Sequence, residues 1–91
     1  MRSTIDQMID LAQVFSQWVQ FSKSCKGKII VSIPYVSWKE NRHDIASRSI
    51  TGTGESLELA CGDFMNNAKG KLLYGDNKIF YGENRPEYIC V

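Results

Sequence analysis

The residues that could do chemistry are few in this 91-residue chain, and they lie far apart in the sequence. His43 is the single histidine, and no serine or cysteine stands in a nucleophile-elbow context. Glu55, Glu58 and Asp63 fall on the exposed side of a predicted helix, and without further histidines or suitably spaced carboxylates they do not form a metal site. We therefore predict no catalytic residue, no metal site and no cofactor, and a protein that is not an enzyme.

The segment Thr-Gly-Thr-Gly-Glu-Ser lies between a predicted strand and a predicted helix, which is where phosphate-binding turns are found. A dinucleotide fingerprint would have a third glycine at Leu57, and Glu55 and Glu58 would repel a phosphate there. We interpret Gly52 and Gly54 as a tight turn that needs permissive residues. Whether this turn binds an anion stays open at this stage.

Composition and cysteine usage narrow the class of protein. Eleven basic and ten acidic residues give a net charge of +1, which favours neither a polybasic nucleic-acid binder nor an acidic DNA mimic. Cys25, Cys61 and Cys90 are odd in number and contain no Cys-x-x-Cys pair, so we expect reduced thiols. Asp6 and Asp10 interrupt any apolar run near the start, so we expect no signal peptide, no transmembrane span and a cytoplasmic setting in bacteria.

A helix is predicted over residues 57–69. Ser56 is a suitable N-cap, Glu58 complements the dipole in the first turn, and Gly70 after Lys69 provides the end. The apolar positions recur at helical spacing on one face, which requires a sheet to pack on. These positions are Leu57, Ala60, Cys61, Phe64 and Ala68.

A first helix is predicted over residues 4–24, with Thr4 and Gln7 as a capping box. One apolar stripe faces the core, and a second stripe lies beside it, which makes the apolar face wider than docking needs. Either the sheet and the other helix cover this second stripe, or the stripe is a partner or oligomer interface. In the second case the tail 88–91, a second copy of the chain or a target protein has to cover it, and among these three we favour a second copy in a homodimer. The second stripe consists of Leu11, Val14, Trp18 and Phe21.

The rest of the chain is predicted to form strands. Residues 28–38 and 43–53 form a predicted hairpin, with an edge or a bulge at Pro34. Residues 71–74 and 78–81 form a second predicted hairpin about Gly75, Asp76 and Asn77, and residues 87–91 add a last strand or a packed tail. The predicted fold is a single α+β domain over residues 1–91, with an antiparallel sheet of four to five strands and two helices in the order α-β-β-α-β-β(-β).

Exposed aromatic side chains interleaved with basic ones on the first hairpin indicate a second class of partner. Such a stripe can stack on bases and pair with phosphates. The possible nucleic-acid contacts are Tyr35, Trp38, Lys39, Arg42 and Arg48.

The segment from Ile50 to Leu73, with its glycine turn, capped helix and Lys-Gly-Lys strand, resembles small phage-encoded accessory and anti-defence proteins. The resemblance covers about a quarter of the chain and carries no catalytic residue. It implies a phage protein in the bacterial cytosol, where short products of this kind bind and block host components. We therefore expect a non-enzymatic protein that binds and inhibits a host defence component, with a nucleic-acid-associated accessory protein as the alternative.

Overall fold

The computed structural model describes residues 3–41, 43–44 and 48–90. The described part of the chain forms two three-stranded antiparallel sheets, with strand orders β1-β2-β4 and β3-β5-β6. The α+β class is confirmed, but the prediction of one sheet of four to five strands with two helices is wrong in strand count and in order. The elements are α1 (Thr4–Val14), β1 (Gln20–Lys23), β2 (Ile29–Ser32), β3 (Val36–Lys39), β4 (Gly52–Gly54), α2 (Leu57–Ala68), β5 (Leu72–Gly75), α3 (Lys78–Tyr81) and β6 (Glu87–Ile89).

Helix α2 is the predicted central helix, and it packs directly on β4. The Ser56 hydroxyl accepts a hydrogen bond from the Leu59 amide at 3.2 Å, which caps the first turn. A Cβ added at Gly54 would lie 2.6 Å from the Ala60 nitrogen, and one at Gly52 would overlap the backbone of Ala60 and Phe64. The two glycines are therefore required because the strand and the helix backbone lie in contact.

Helix α1 ends ten residues earlier than its apolar periodicity predicts, so the predicted helix over residues 4–24 is wrong in its second half. Ser16 adopts a left-handed φ of 56°. Its amide donates to the Gln13 carbonyl at 3.0 Å, and the Gln17 amide donates to the Ala12 carbonyl at 2.9 Å. This pair of bonds is the Schellman arrangement that ends helices, and it releases the chain into β1.

The predicted strand over residues 28–38 is two strands in different sheets. Pro34 offers no amide donor, and Tyr35 follows it with a φ of +60°, so the chain turns between β2 and β3. The return strand predicted over residues 43–53 is also divided. Its end, β4, pairs with β2, whereas Arg48 makes only an isolated bridge to Trp38 in the other sheet.

The predicted second hairpin is wrong because residues 78–81 form the short helix α3. The Asn77 side chain caps this helix by accepting a hydrogen bond from the Phe80 amide at 2.8 Å. The predicted last strand is confirmed as β6, which pairs antiparallel with β5. Strand β5 is thus central in its sheet, between β3 and β6.

The buried core joins residues of both sheets and of the two longer helices. Met8, Phe15, Phe64 and Leu73 are its largest fully buried apolar side chains. Ile50, just before β4, is buried, whereas Ile45 lies outside the described residues. None of the helices in the described ranges combines the length and the apolar character that crossing a membrane requires.

Candidate partner-binding groove

An apolar groove lies on the helix side of the first sheet, beside its edge strand β1. Phe21 of β1 stands directly opposite Val31 of β2 in the antiparallel register. Opposite residues in such a pair point to the same face of the sheet. Val31 is fully buried, yet Phe21 is 63% exposed. Helix α2 packs on β4 and β2, and α1 packs on α2, so the helix layer stops short of Phe21.

The groove has a volume of about 370 Å³, at the small end of the range for ligand sites. Trp18, which is 61% exposed, and Ile9, which is 42% exposed, share it with Phe21. Most of its other lining residues are apolar and come from α1 and α2. The lining comprises Ile5, Ile9, Ala12, Gln13, Gln17, Trp18, Val19, Phe21, Leu57 and Cys61.

One buried polar side chain, Gln17, lies at this groove and is only 7% exposed. The Tyr81 hydroxyl donates its proton to the Phe15 carbonyl at 2.8 Å, and it accepts a hydrogen bond from Gln17 Nε2 at 3.2 Å. Since that hydroxyl has one proton, the Gln17 amide must present its nitrogen to it. Gln17 Oε1 is itself buried and has no hydrogen-bond partner within the described part of the chain.

Burial raises the pKa of Tyr81, and nearby Asp76 adds to this rise, while the hydrogen bond from Gln17 opposes it. The phenol therefore stays neutral near pH 7 and can donate its hydrogen bond to the Phe15 carbonyl. This bond joins α3 to the end of α1, so the short third helix holds the residue that orients Gln17.

The residues of the second apolar stripe predicted on the first helix lie in different parts of the folded structure. Leu11 is buried in the core at 4% exposure. Val14 is exposed and shares a different depression with Leu11 and Tyr88, so the tail does approach this part of the stripe. Trp18 and Phe21 lie beyond the end of α1, at the groove. The homodimer stays a prediction, but a continuous helical ridge no longer supports it.

The predicted aromatic and basic stripe does not form one surface. Trp38 lies opposite the buried Leu73, with the cations of Arg48 and Lys71 at 4.9 and 4.8 Å from its ring. Arg48 also pairs with Asp44 at 2.8 Å, and that hydrogen bond raises the pKa of the guanidinium above its ordinary value. The ring of this tryptophan is therefore already in contact with two cations of the protein itself.

The remaining members of the stripe lie elsewhere. Lys39 follows Trp38 on the strand and points to the opposite face, where its ammonium lies 4.7 Å from the Tyr74 ring in a depression that Glu83 and Glu87 also line. Tyr35 stacks on Phe80 of α3 with ring centroids 5.6 Å apart. Arg42 lies outside the described residues.

The other sequence candidates do not assemble into a reactive site in the described structure. His43 is exposed, and no group of three or more metal-ligating side chains occurs among the described residues. The interpretation of Gly52 and Gly54 as a tight turn is wrong, because both glycines lie in strand β4. Between them the Thr53 amide donates to the Asp63 carboxylate at 2.9 Å, so an acidic group of the protein already lies at this donor. All three cysteines are free thiols, and burial raises the pKa of Cys61 and Cys90.

Comparisons with protein-family models, curated proteins and solved structures find no significant match to this chain. The groove therefore has to be interpreted from its own geometry. Sequence reasoning identified Trp18 and Phe21 as candidate interface residues, but it missed Gln17. A glutamine beside a tryptophan carries no local signal, because its partner Tyr81 is 64 residues away in sequence.

Proposed function

We propose that this protein is a non-enzymatic binding protein that holds a partner protein in the groove between α1 and β1. The observation that carries the proposal is the pair of exposed aromatic side chains, Trp18 and Phe21, beside a largely apolar depression. Tryptophan and other aromatic residues supply much of the affinity of protein interfaces when a partner removes them from water. Contiguous exposed apolar surface of this kind typically marks an interaction site.

The class of partner follows from the resemblance of residues 50–73 to small phage-encoded accessory proteins. On that basis we propose a phage-encoded inhibitor in the bacterial cytosol whose target is a host defence component. An inhibitor needs no reactive group of its own, because occupying a functional surface of the target is sufficient. The apolar groove is suited to that task.

Capture from a bacterial lysate tests the proposal when matched variants are compared. We expect Trp18→Ala and Phe21→Ser to lose the captured protein, and Ile79→Ser to retain it. Ile79 is a suitable control because it is an apolar residue that is 98% exposed and lies on α3, outside the groove lining. Retention of the same protein by both groove variants would contradict the proposal.

The salt dependence of binding separates this function from nucleic-acid binding. Contacts between lysine or arginine and phosphate weaken steeply as salt rises, whereas an apolar protein interface is much less sensitive. We expect capture to persist at high salt, and we expect no mobility shift of DNA or RNA at low salt. A mobility shift that disappears as salt is raised would favour the alternative function.

A further inference from the structure

We propose that the partner protein adds an extended segment to β1 as a fourth, antiparallel strand of the first sheet, and that this segment carries acidic residues beside the lysines of the β1–β2 hairpin. The inference rests on the proposed function, since it specifies how a protein partner is held beside the groove. Its basis is an open strand edge that lies next to two exposed aromatic side chains and three exposed lysines.

The hydrogen-bond pattern of the hairpin shows which backbone groups of β1 are free. The Ser24 amide donates to the Lys28 carbonyl at 2.7 Å, which closes the hairpin. Hydrogen-bonded pairs alternate along an antiparallel ladder, so Ser22 is the next residue of β1 that exchanges bonds with β2 in the observed register. The amide and carbonyl groups of Phe21 and Lys23 therefore point away from β2, toward the outer edge of the sheet.

The opposite edge of the same sheet is closed by side chains of α2. The same alternation directs the Thr53 amide of β4 away from β2, and this amide donates to the Asp63 carboxylate at 2.9 Å. Beside it, Asn67 Nδ2 donates to the Thr51 carbonyl at 3.0 Å. No described residue makes such a bond to the outward groups of β1, and all four residues of this strand are exposed. An edge with unpaired donors and acceptors is suited to pairing with another strand.

The side chain that an added strand places opposite Phe21 is expected to be apolar. Opposite residues of an antiparallel pair point to the same face of the sheet, and Phe21 points to the face where the helix layer stops short of it. Trp18, which is 61% exposed, lies in the same groove. An apolar side chain at this position removes both aromatic rings from water without desolvating a charge.

The charge of the hairpin indicates a second feature of the added segment. Residues 20–32 contain three lysines and no acidic residue. Lys23, Lys26 and Lys28 are exposed, and none of them forms an ion pair with a described residue. In an antiparallel arrangement the beginning of the added segment lies beside these lysines. Acidic residues at that end are therefore favoured electrostatically.

A second copy of β1 is the competing occupant, and its charges fit less well. In a two-fold pair centred on Phe21, residues 17–19 of the second copy would lie beside Lys23, and these residues carry no charge. The lysines would stay unneutralised, and each copy would bring three charges of the same sign to one interface. Repulsion between like charges opposes that pairing, whereas an acidic foreign strand is attracted.

Synthetic peptides serve as probes of the open edge. The acidic probe is an eight-residue peptide with capped ends, in which two glutamates precede alternating threonine and valine, and the basic probe has two lysines in their place. Titrations followed by amide NMR shifts give the affinity of each probe and its location. We expect the acidic probe to bind at least about fivefold more tightly than the basic probe, with the largest shifts in β1 and a smaller difference at high salt.

Methylation of the backbone amides of the acidic probe tests for strand pairing, because only every second amide of an added strand faces β1. Methylating one alternate set should weaken binding at least about tenfold, and methylating the other set should change it by less than about threefold. In the protein, Lys23→Pro removes a donor at the outer edge and should also weaken binding. Lys23→Gln, which removes only the charge, is the matched control and should weaken it less.

Equal binding of the acidic and basic probes would overturn the charge preference. Equal effects of the two methylated sets, or no binding of the acidic probe at about 1 mM, would overturn strand addition. The peptide comparisons need no variant, so they remain decisive even where Lys23→Pro does not fold. A parent that is dimeric by light scattering, and that Lys23→Pro makes monomeric, would assign the edge to a second copy and overturn the foreign strand.

Failure of this inference is distinguishable from failure of the proposed function. If the probes do not bind β1 while Phe21→Ser still abolishes capture of a partner, the groove binds protein without adding a strand. If the probes bind β1 as expected while the groove variants and Lys23→Pro capture the partner normally, protein binding through this surface is refuted.

Discussion

The two tryptophans of the chain lie in opposite situations, although both were candidate contact residues from sequence. Trp38 is half-buried against the core, and two cations lie within 5 Å of its ring centroid. Trp18 is 61% exposed at a groove, and its ring contacts no aromatic ring and no cation within the described structure. The ring of Trp38 therefore contributes to the stability of the fold, whereas Trp18 is the residue that we propose contacts a partner.

This difference shows that the exposure of an aromatic side chain is a weak indicator of binding unless the contacts of that side chain are considered as well. Cation–π contacts between Trp38 and its two flanking cations contribute about 0.5–1 kcal/mol each at exposed sites and help to hold β3 against β5 and the bridge at Arg48. A ligand that stacked on Trp38 would have to displace them. A ligand at Trp18 would have no cation–π contact of the described structure to displace.

A substitution in the buried core sets the scale for the comparison. Phe64 on α2 is fully buried, so Phe64→Ala should lower the free energy of unfolding by about 3 kcal/mol or more. Leu59→Ala on the same helix is the matched control, because Leu59 is 60% exposed and should change stability by less than about 0.5 kcal/mol. Urea unfolding measures both. Equal stability of the Phe64 variant and the parent would refute the packing of α2.

The two tryptophans should differ next in their contribution to stability. Trp38→Ala should cost about 2 kcal/mol, since the ring is half-buried and holds two cations, whereas Trp18→Ala should cost less than about 0.5 kcal/mol. Unfolding by urea with far-UV circular dichroism avoids the loss of the fluorescent probe. A larger loss for Trp18→Ala than for Trp38→Ala would invert the comparison.

The smallest expected effect is a dependence of stability on alkaline pH through Tyr81, the residue that orients Gln17. Burial raises the pKa of Tyr81 in the folded protein above its ordinary value of 10.0. The contribution of Tyr81 to the free energy of unfolding is therefore fully present below pH 10, and it is lost as the pH rises through the pKa of the folded protein. Tyr81→Phe should therefore show a weaker loss of stability between pH 8 and pH 11 than the parent. Tyr88→Phe, at an exposed tyrosine, serves as the control. Parallel pH profiles for the parent and Tyr81→Phe would contradict this account.

The parts of the fold that sequence predicted are those fixed by local interactions. Ser56 and the apolar spacing that follows it define α2 within a few residues. The end of α1 was missed because a serine, and not the usual glycine, adopts the left-handed conformation there. The segment Lys78–Tyr81 was misread because its residues suit a strand, whereas the Asn77 cap and the bonds of Tyr81 to the end of α1 favour a helix.

The candidate site was also predictable only in part, because its geometry depends on contacts between residues that are distant in sequence. The apolar character of Trp18 and Phe21 is visible in the sequence, but their position at a groove depends on where α1 ends. Leu11, grouped with them by helical periodicity, is buried because the helix faces the core at that point. The orientation of the Gln17 side chain depends on a hydrogen bond between residues 64 apart in sequence, and no local pattern encodes it.

The most direct test of the account is the affinity of the captured partner for Trp18→Ala and for Trp38→Phe. Trp18→Ala should weaken binding at least about 30-fold, as expected when a central aromatic residue of an interface is removed. Trp38→Phe should bind within about threefold of the parent, because a residue whose ring contacts lie within the fold adds little to the interface. Undiminished binding by Trp18→Ala, or a large loss confined to Trp38→Phe, would contradict the assignment of the groove as the partner-binding surface.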